Sequence, residues 1–213
     1  MPNWSYNRIS FYQEDNGNDM LHAFFADIQK YQDYKDPETG KHSSWVGHYL
    51  QSKRINADNL YSRGFFVSCE LHDDHVEIEM ETAWAPLPEI WELIAQQYEL
   101  SFVYISEEPG CEVYVNTDDG RFFTTRYMIN SFDVDYLELD AETLSEYGER
   151  LREIGSEPAY YDSLEKVLED FKEFGFAATD LKALTNGWKC SIYGYMNTAP
   201  NKANIAKHKK NRD

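Results

Sequence analysis

The segment His75–Asn116, HVEIEMETAWAPLPEIWELIAQQYELSFVYISEEPGCEVYVN, decides the fold. From His75 the residues alternate: Val76, Ile78, Met80, Thr82 and Trp84 fall on one face, and Glu77, Glu79 and Glu81 on the other. A period of two marks a strand buried on one side only. Ala85-Pro86-Leu87-Pro88 ends it, because proline lacks a ladder donor but suits the first turn of a helix. Ile90, Trp91, Ile94 and Tyr98 then recur at helical spacing. Leu100 to Ile105 is β-branched and aromatic, Glu108-Pro109-Gly110 is a turn, and Glu112 to Val115 alternates again. Strand, helix, strand, strand with one apolar sheet face predicts an α+β protein.

Upstream, Trp4–Tyr12 reads as a first strand and Asp19–Tyr34 as a helix with Leu21, Phe24, Phe25 and Ile28 as its buried stripe. A short helix is predicted over Ser44–Lys53. Gly64–Leu71 is a strand that His72-Asp73-Asp74-His75 turns back into the central one. Downstream, Asp118-Asp119-Gly120 predicts a hairpin with Arg121–Ile129 returning. Phe132–Leu139 is a further extended segment. Ala141–Ile154 and Asp162–Phe174 are helices, the second strongly amphipathic, Phe176–Asn186 adds a short helix, and Trp188–Tyr195 a strand. The expected division is an α+β domain over 1–140, a helical extension over 141–196 packed on it, and a disordered basic tail over 197–213.

The chain has 213 residues, with 38 Asp and Glu against 20 Lys and Arg, for a net charge of −18. Such a balance argues against direct nucleic-acid binding, which needs cations to displace counterions from phosphates. It suits a basic partner, or plain solubility. The acid is concentrated: residues 101–176 hold 19 acidic and 6 basic residues, a net of −13, whereas 182–213 hold 7 basic and 1 acidic, a net of +6. Aromatic residues make up 15% of the chain, including 16 Tyr, so it has the means to build a core. No apolar run reaches the length of a membrane span and no secretory leader is evident, so a soluble cytoplasmic protein is expected. Cys69, Cys111 and Cys190 are widely separated, without disulfide-framework or zinc spacing.

Two stretches carry a resemblance. Met1-Pro2-Asn3-Trp4 followed by Asn7, and Thr82-Ala83-Trp84-x-Pro86 with its helix and the Glu108-Pro109-Gly110 turn, resemble the YubB-type proteins of plasmids, phages and genomic islands. The resemblance covers residues 1–12 and 63–130. Ser5 stands where that family often has cysteine, and Ser62-Arg63-Gly64 lies where it has an Asn-Trp-Gly segment. It implies a ferredoxin-like antiparallel sheet with helices packed on one face, here followed by C-terminal helices. The fold name implies no iron–sulfur cluster, and no cofactor is expected.

Few residues point to catalysis. There is no G-x-S-x-G elbow and no glycine-rich phosphate loop. His72-Asp73-Asp74-His75 has ligand-type side chains, but Asp-Asp is ordinary turn chemistry and adjacent turn residues diverge. The carboxylates matter more as a surface. Glu77, Glu79 and Glu81 project from one sheet face at intervals of about 6.6–7 Å. Asp133, Asp135 and Glu138, then Glu142, Glu146, Glu149 and Glu153, continue the acidity. A regular row of carboxylates can imitate the even charge of a nucleic-acid backbone. The expected function is therefore a non-enzymatic acidic binding or inhibitor protein of a mobile genetic element, directed at a basic nucleic-acid-binding host protein. The alternative is a small metal-dependent hydrolase or nuclease using carboxylates of the central sheet, with or without His72 and His75.

Overall fold

The computed structural model describes residues 3–14, 19–32, 35, 43–111, 113–129, 159–173 and 192–196. Two compact units are present, one over Met1–Asp118 and one over Asp119–Met196. The expected elements over 132–139, 141–154 and 176–186, and the tail from 197, lie outside the described residues.

The first unit runs β1 (Trp4–Tyr12), α1 (Asp19–Gln32), α2 (Val46–Ser52), β2 (Gly64–Leu71), β3 (His75–Ala83), α3 (Pro88–Gln97), β4 (Ser101–Glu108) and β5 (Val113–Asn116). Its strands form one antiparallel sheet in the order β2-β3-β1-β4-β5. The first four strands thus have the 4-1-3-2 order of a split βαβ, ferredoxin-like sheet, and β5 adds an edge by a hairpin. The α+β reading holds.

Alternation in each strand assigns the two faces. Ile9 and Phe11 of β1, Ile78 and Met80 of β3, and Phe102 and Tyr104 of β4 are buried with Leu21, Phe24 and Ile28 of α1, Tyr49 of α2, and Trp91 and Ile94 of α3. Helices α1, α2 and α3 therefore share one face of the sheet. Trp91 packs edge-on to Tyr104 with ring centroids 4.8 Å apart. Phe24 contacts both Phe11 and Tyr98, at 4.8 and 5.0 Å.

Helices α2 and α3 both end through a left-handed residue that is not glycine. Arg54 has φ 55° and Glu99 φ 54°. Ile55 donates to the Leu50 carbonyl and Leu100 to the Ala95 carbonyl, each at 2.9 Å, which closes a Schellman-type cap.

A polar clasp ties the three helices together at their surface. Asp27 of α1 accepts from Tyr98 at 2.7 Å and from Lys30 at 3.0 Å, and pairs closely with Lys53 beyond α2. Burial by itself would raise the Asp27 carboxyl, but the hydrogen bonds from Lys53, Tyr98 and Lys30 outweigh it and hold the group at about 2. Because the folded-state value lies below the unfolded one, this contribution is complete above about pH 4 and is lost as pH falls toward 2. Asp27→Asn is expected to lower stability by roughly 1–2 kcal/mol at pH 7. The deficit should shrink as pH falls from about 4 through about 2, as followed by urea melts across pH; a deficit independent of pH would refute the clasp.

Two expectations are corrected. Trp84 does not continue the buried face of β3: it is 47% exposed, with φ 73°. The strand ends at Ala83 because the Thr82 hydroxyl bonds the Ala85 carbonyl at 2.7 Å and turns the chain. Arg121–Ile129 is not a strand returning along β5. Asn116 instead caps the Asp118 amide at 2.9 Å and ends β5, and Gly120 takes φ 104°. Only Tyr127–Ile129 (β6) is extended, and it pairs in the second unit with β7 (Ala159–Tyr161) and β8 (Ile192–Gly194). Strand β7 was not expected from the sequence. Between β7 and β8 lies α4 (Leu164–Glu173), which agrees with the predicted amphipathic helix.

Candidate functional site: the sheet face opposite the helices

Facing away from the helices, β1 presents Trp4, Tyr6, Arg8, Ser10 and Tyr12. The register sets one row across the sheet as Phe65, Glu81, Tyr6, Glu107 and Tyr114, taken from β2, β3, β1, β4 and β5. The next row is Ser68, Glu79, Arg8, Ile105 and Asn116, and the one after brings Glu70, Glu77, Ser10 and Val103 together. On the β4 and β5 side, Ile105, Tyr114 and Asn116 are buried. The accessible part lies over β2, β3 and β1, where Tyr6 is 57% and Val67 54% exposed. Val67 stands at a bulge between Phe66 and Ser68, which also breaks the regularity of the β2 edge.

Glu77, Glu79 and Glu81 do share this face, as the alternation required. They are not equivalent, however. Arg8 forks onto Glu77, its Nη2 3.0 Å from both carboxylate oxygens and its Nε 3.2 Å from Oε1. Glu79 accepts the Ser68 hydroxyl at 2.8 Å. Glu81 lies directly opposite both Tyr6 and Phe65. Asp133, Asp135, Glu138, Glu142, Glu146 and Glu149, the other expected binding residues, lie outside the described residues.

One end of this face is aromatic. Trp4 and Phe65 have ring centroids 5.7 Å apart, Phe65 and Trp45 4.9 Å, and the Arg63 guanidinium carbon lies 6.0 Å over the Trp4 ring. Glu81 and Glu107 share the row of Phe65 and Tyr6, and Glu79 lies in the next, so this end of the face combines π surfaces with carboxylates.

The motif residues of the two resembling stretches converge at that same end of the sheet, mostly on the helix side. Asn7 is 2% exposed and donates to the Ser5 and Met80 carbonyls and to the Thr82 hydroxyl oxygen at 2.9, 3.1 and 2.9 Å. Its carbonyl oxygen accepts the Ser106 hydroxyl at 2.8 Å, and Ser106 contacts Ser5 at 2.9 Å. The backbone of Asn3 receives the Trp84 amide at 2.9 Å. Two glycines are required by close approach. A Cβ at Gly110 would lie 2.5 Å from Asn3 Nδ2, and one at Gly64 would lie 2.9 Å from the Glu81 carbonyl oxygen. Ser5, Asn7, Thr82 and Ser106 are buried and mutually satisfied, so their role is to lock β1, β3 and β4 in register beneath the exposed face. Each is visible singly in the sequence, but their convergence has no local signal.

His72 and His75 sit on the β2–β3 turn with rings stacked 4.3 Å apart. His75 bonds Asp74 at 2.9 Å, and the His72 amide bonds the His75 carbonyl at 2.9 Å, as turn chemistry dictates. Among the described residues no three His, Cys, Asp or Glu side chains are grouped to hold a metal ion. Cys69 is buried on β2, and burial pushes its thiol up to about 12, so it is held as the unreactive thiol. Cys111 lies in a 3-10 turn. Among the described residues no helix is long and apolar enough to cross a membrane.

No curated protein and no solved structure matches the chain. Residues 64–146, from β2 through β6, match the family model of the ferredoxin-like domain in Api92-like protein, in keeping with the strand order of the first unit.

Proposed function

We propose that this chain is a non-enzymatic binding protein whose sheet face over β2, β3 and β1 docks a basic, nucleic-acid-binding protein. The observation that carries the reading is the placement of Glu70, Glu77, Glu79, Glu81 and Glu107 together on the face that α1, α2 and α3 leave uncovered. Arg8 is the only cation among the residues that those rows place there. A strongly acidic surface accelerates encounter with a basic partner and makes association sensitive to salt. The resemblance to YubB-type proteins supports a mobile-element setting, in which the target is a host defence protein and the glutamate row stands in for a phosphate backbone.

The test is capture from bacterial lysate at about 50 mM salt followed by a wash near 500 mM, where exposed charge pairs are largely screened. Nucleic-acid-binding proteins should be retained, released by the wash, and lost with the triple change Glu77→Gln, Glu79→Gln, Glu81→Gln. Arg8→Ala supplies an opposite sign. It frees Glu77 at a stability cost of about 1 kcal/mol or less, since the pair is exposed, and should strengthen capture. Weaker capture by the Arg8 variant, or none by the parent, would overturn the reading.

A further inference from the structure

We propose that the group this face recognises is a guanidinium: an arginine side chain of the partner lies over the Tyr6 ring, between Glu81 and Glu107. The proposal rests on the docking reading above and narrows it to one chemistry and one row of the sheet.

The register puts Tyr6 directly opposite Glu81 on β3 and Glu107 on β4. Directly opposed residues have Cβ atoms roughly 4.5–5.5 Å apart, so an exposed ring is flanked by a carboxylate on each side. Phe65 stands opposite Glu81 on the outer side, and Trp4, two residues from Tyr6 on the same strand and face, contacts Phe65. A planar cation stacked on Tyr6 would have an N–H edge pointing toward the Glu81 carboxylate, with Glu107 adding negative charge on the far side of the ring.

The chain's own arginines already use both halves of this chemistry on the same face. Arg63 places its guanidinium over Trp4, and Arg8 forks onto Glu77. Those contacts also say where a partner's cation would not go. Arg8 occupies Glu77 and repels a second cation beside it, whereas Glu79 takes the Ser68 hydroxyl. Among the described residues, Glu81 has neither kind of partner. The seat therefore falls at the Tyr6 row rather than at the centre of the glutamate row.

Arginine fits this seat better than lysine. A guanidinium stacks on a ring and donates in its own plane at the same time, and it is weakly hydrated; an ammonium is a compact, strongly hydrated point charge that cannot do both. Selectivity for arginine over lysine is thus the signature that separates a seat from a diffuse acidic surface, which responds to charge alone.

The experiment is fluorescence anisotropy of the full chain with labelled nona-arginine and nona-lysine peptides at about 50 mM salt. Nona-arginine is expected to bind about tenfold more tightly. Tyr6→Ala and Glu81→Gln should each bring the two affinities together, Tyr6→Phe should preserve the preference, and Glu79→Gln should weaken both peptides while keeping their ratio. Tyr6 and Glu81 lie at the surface, and unchanged thermal melting of each variant checks that the fold is intact. Equal binding of both peptides, or a preference that survives Tyr6→Ala, overturns the guanidinium seat. If that equal binding is also lost from the triple glutamine variant, the docking reading stands without the seat. Binding of neither peptide overturns both.

Discussion

Asn7→Ala is expected to cost about 3 kcal/mol, although the change removes only a few atoms from a polar side chain. Asn7 is a buried junction. It donates to acceptors on β1 and β3 and accepts from Ser106 on β4, so its loss leaves several groups facing no partner in a place water does not reach. An unsatisfied buried group costs roughly 1–3 kcal/mol, which sets the scale. Asn7→Asp should be worse at neutral pH. Its carboxylate would point one oxygen at the Met80 and Ser5 carbonyls, where the amide now donates. Part of that loss should return in acid, since a protonated carboxyl can donate once. Urea melts followed by tryptophan fluorescence would measure both variants. A cost under about 1 kcal/mol for Asn7→Ala would mean that the cluster is not what holds the three strands in register.

Trp91→Ala should remove about 4 kcal/mol, within the range for truncating a buried tryptophan. Trp91 is fully buried in α3 and packs across Phe102 and Tyr104 of β4, so the change opens a cavity at the centre of the helix–sheet interface. Trp91→Phe is the more informative variant. Among the described residues the indole Nε1 is buried without a hydrogen-bond partner, a cost that phenylalanine does not carry. Its loss should therefore be well under half of the alanine value, despite the smaller ring. Equal losses for the two variants would show that the indole nitrogen is satisfied and that ring volume alone governs the site.

The two variants probe different kinds of information. Trp91 was legible in the chain itself: Ile90, Trp91, Ile94 and Tyr98 recur at helical spacing, and all four are buried. Asn7 was legible only as one letter of a motif, because its partners are as far as 99 residues away in sequence. The same contrast holds on the open face. Alternation placed Glu77, Glu79 and Glu81 on one side of a strand, since side chains along a strand have a period of two. It could not show that Arg8, 69 residues earlier, forks onto the first of them. Nor could it show that Tyr6 stands between the last of them and Glu107, which depends on β1 lying between β3 and β4.

Errors in the sequence reading came where local chemistry was ambiguous. Asp118-Asp119-Gly120 has the composition of a hairpin turn, but the Asn116 side chain captures the Asp118 amide first and the chain leaves the sheet. Trp84 follows a strictly alternating strand, yet one hydrogen bond from Thr82 ends the strand a residue earlier and turns the indole to the surface.

The strands and helices of the first unit, the sidedness of each, and the excess of acid can all be read along the chain, because periodicity and charge are properties of sequence neighbours. Only contacts across the sheet set the strand order, the burial of Ser5, Asn7, Thr82 and Ser106 in one polar cluster, and the division of labour among the glutamates. Those depend on cross-strand register, which is fixed by contacts between residues distant in sequence and leaves no trace in any local pattern.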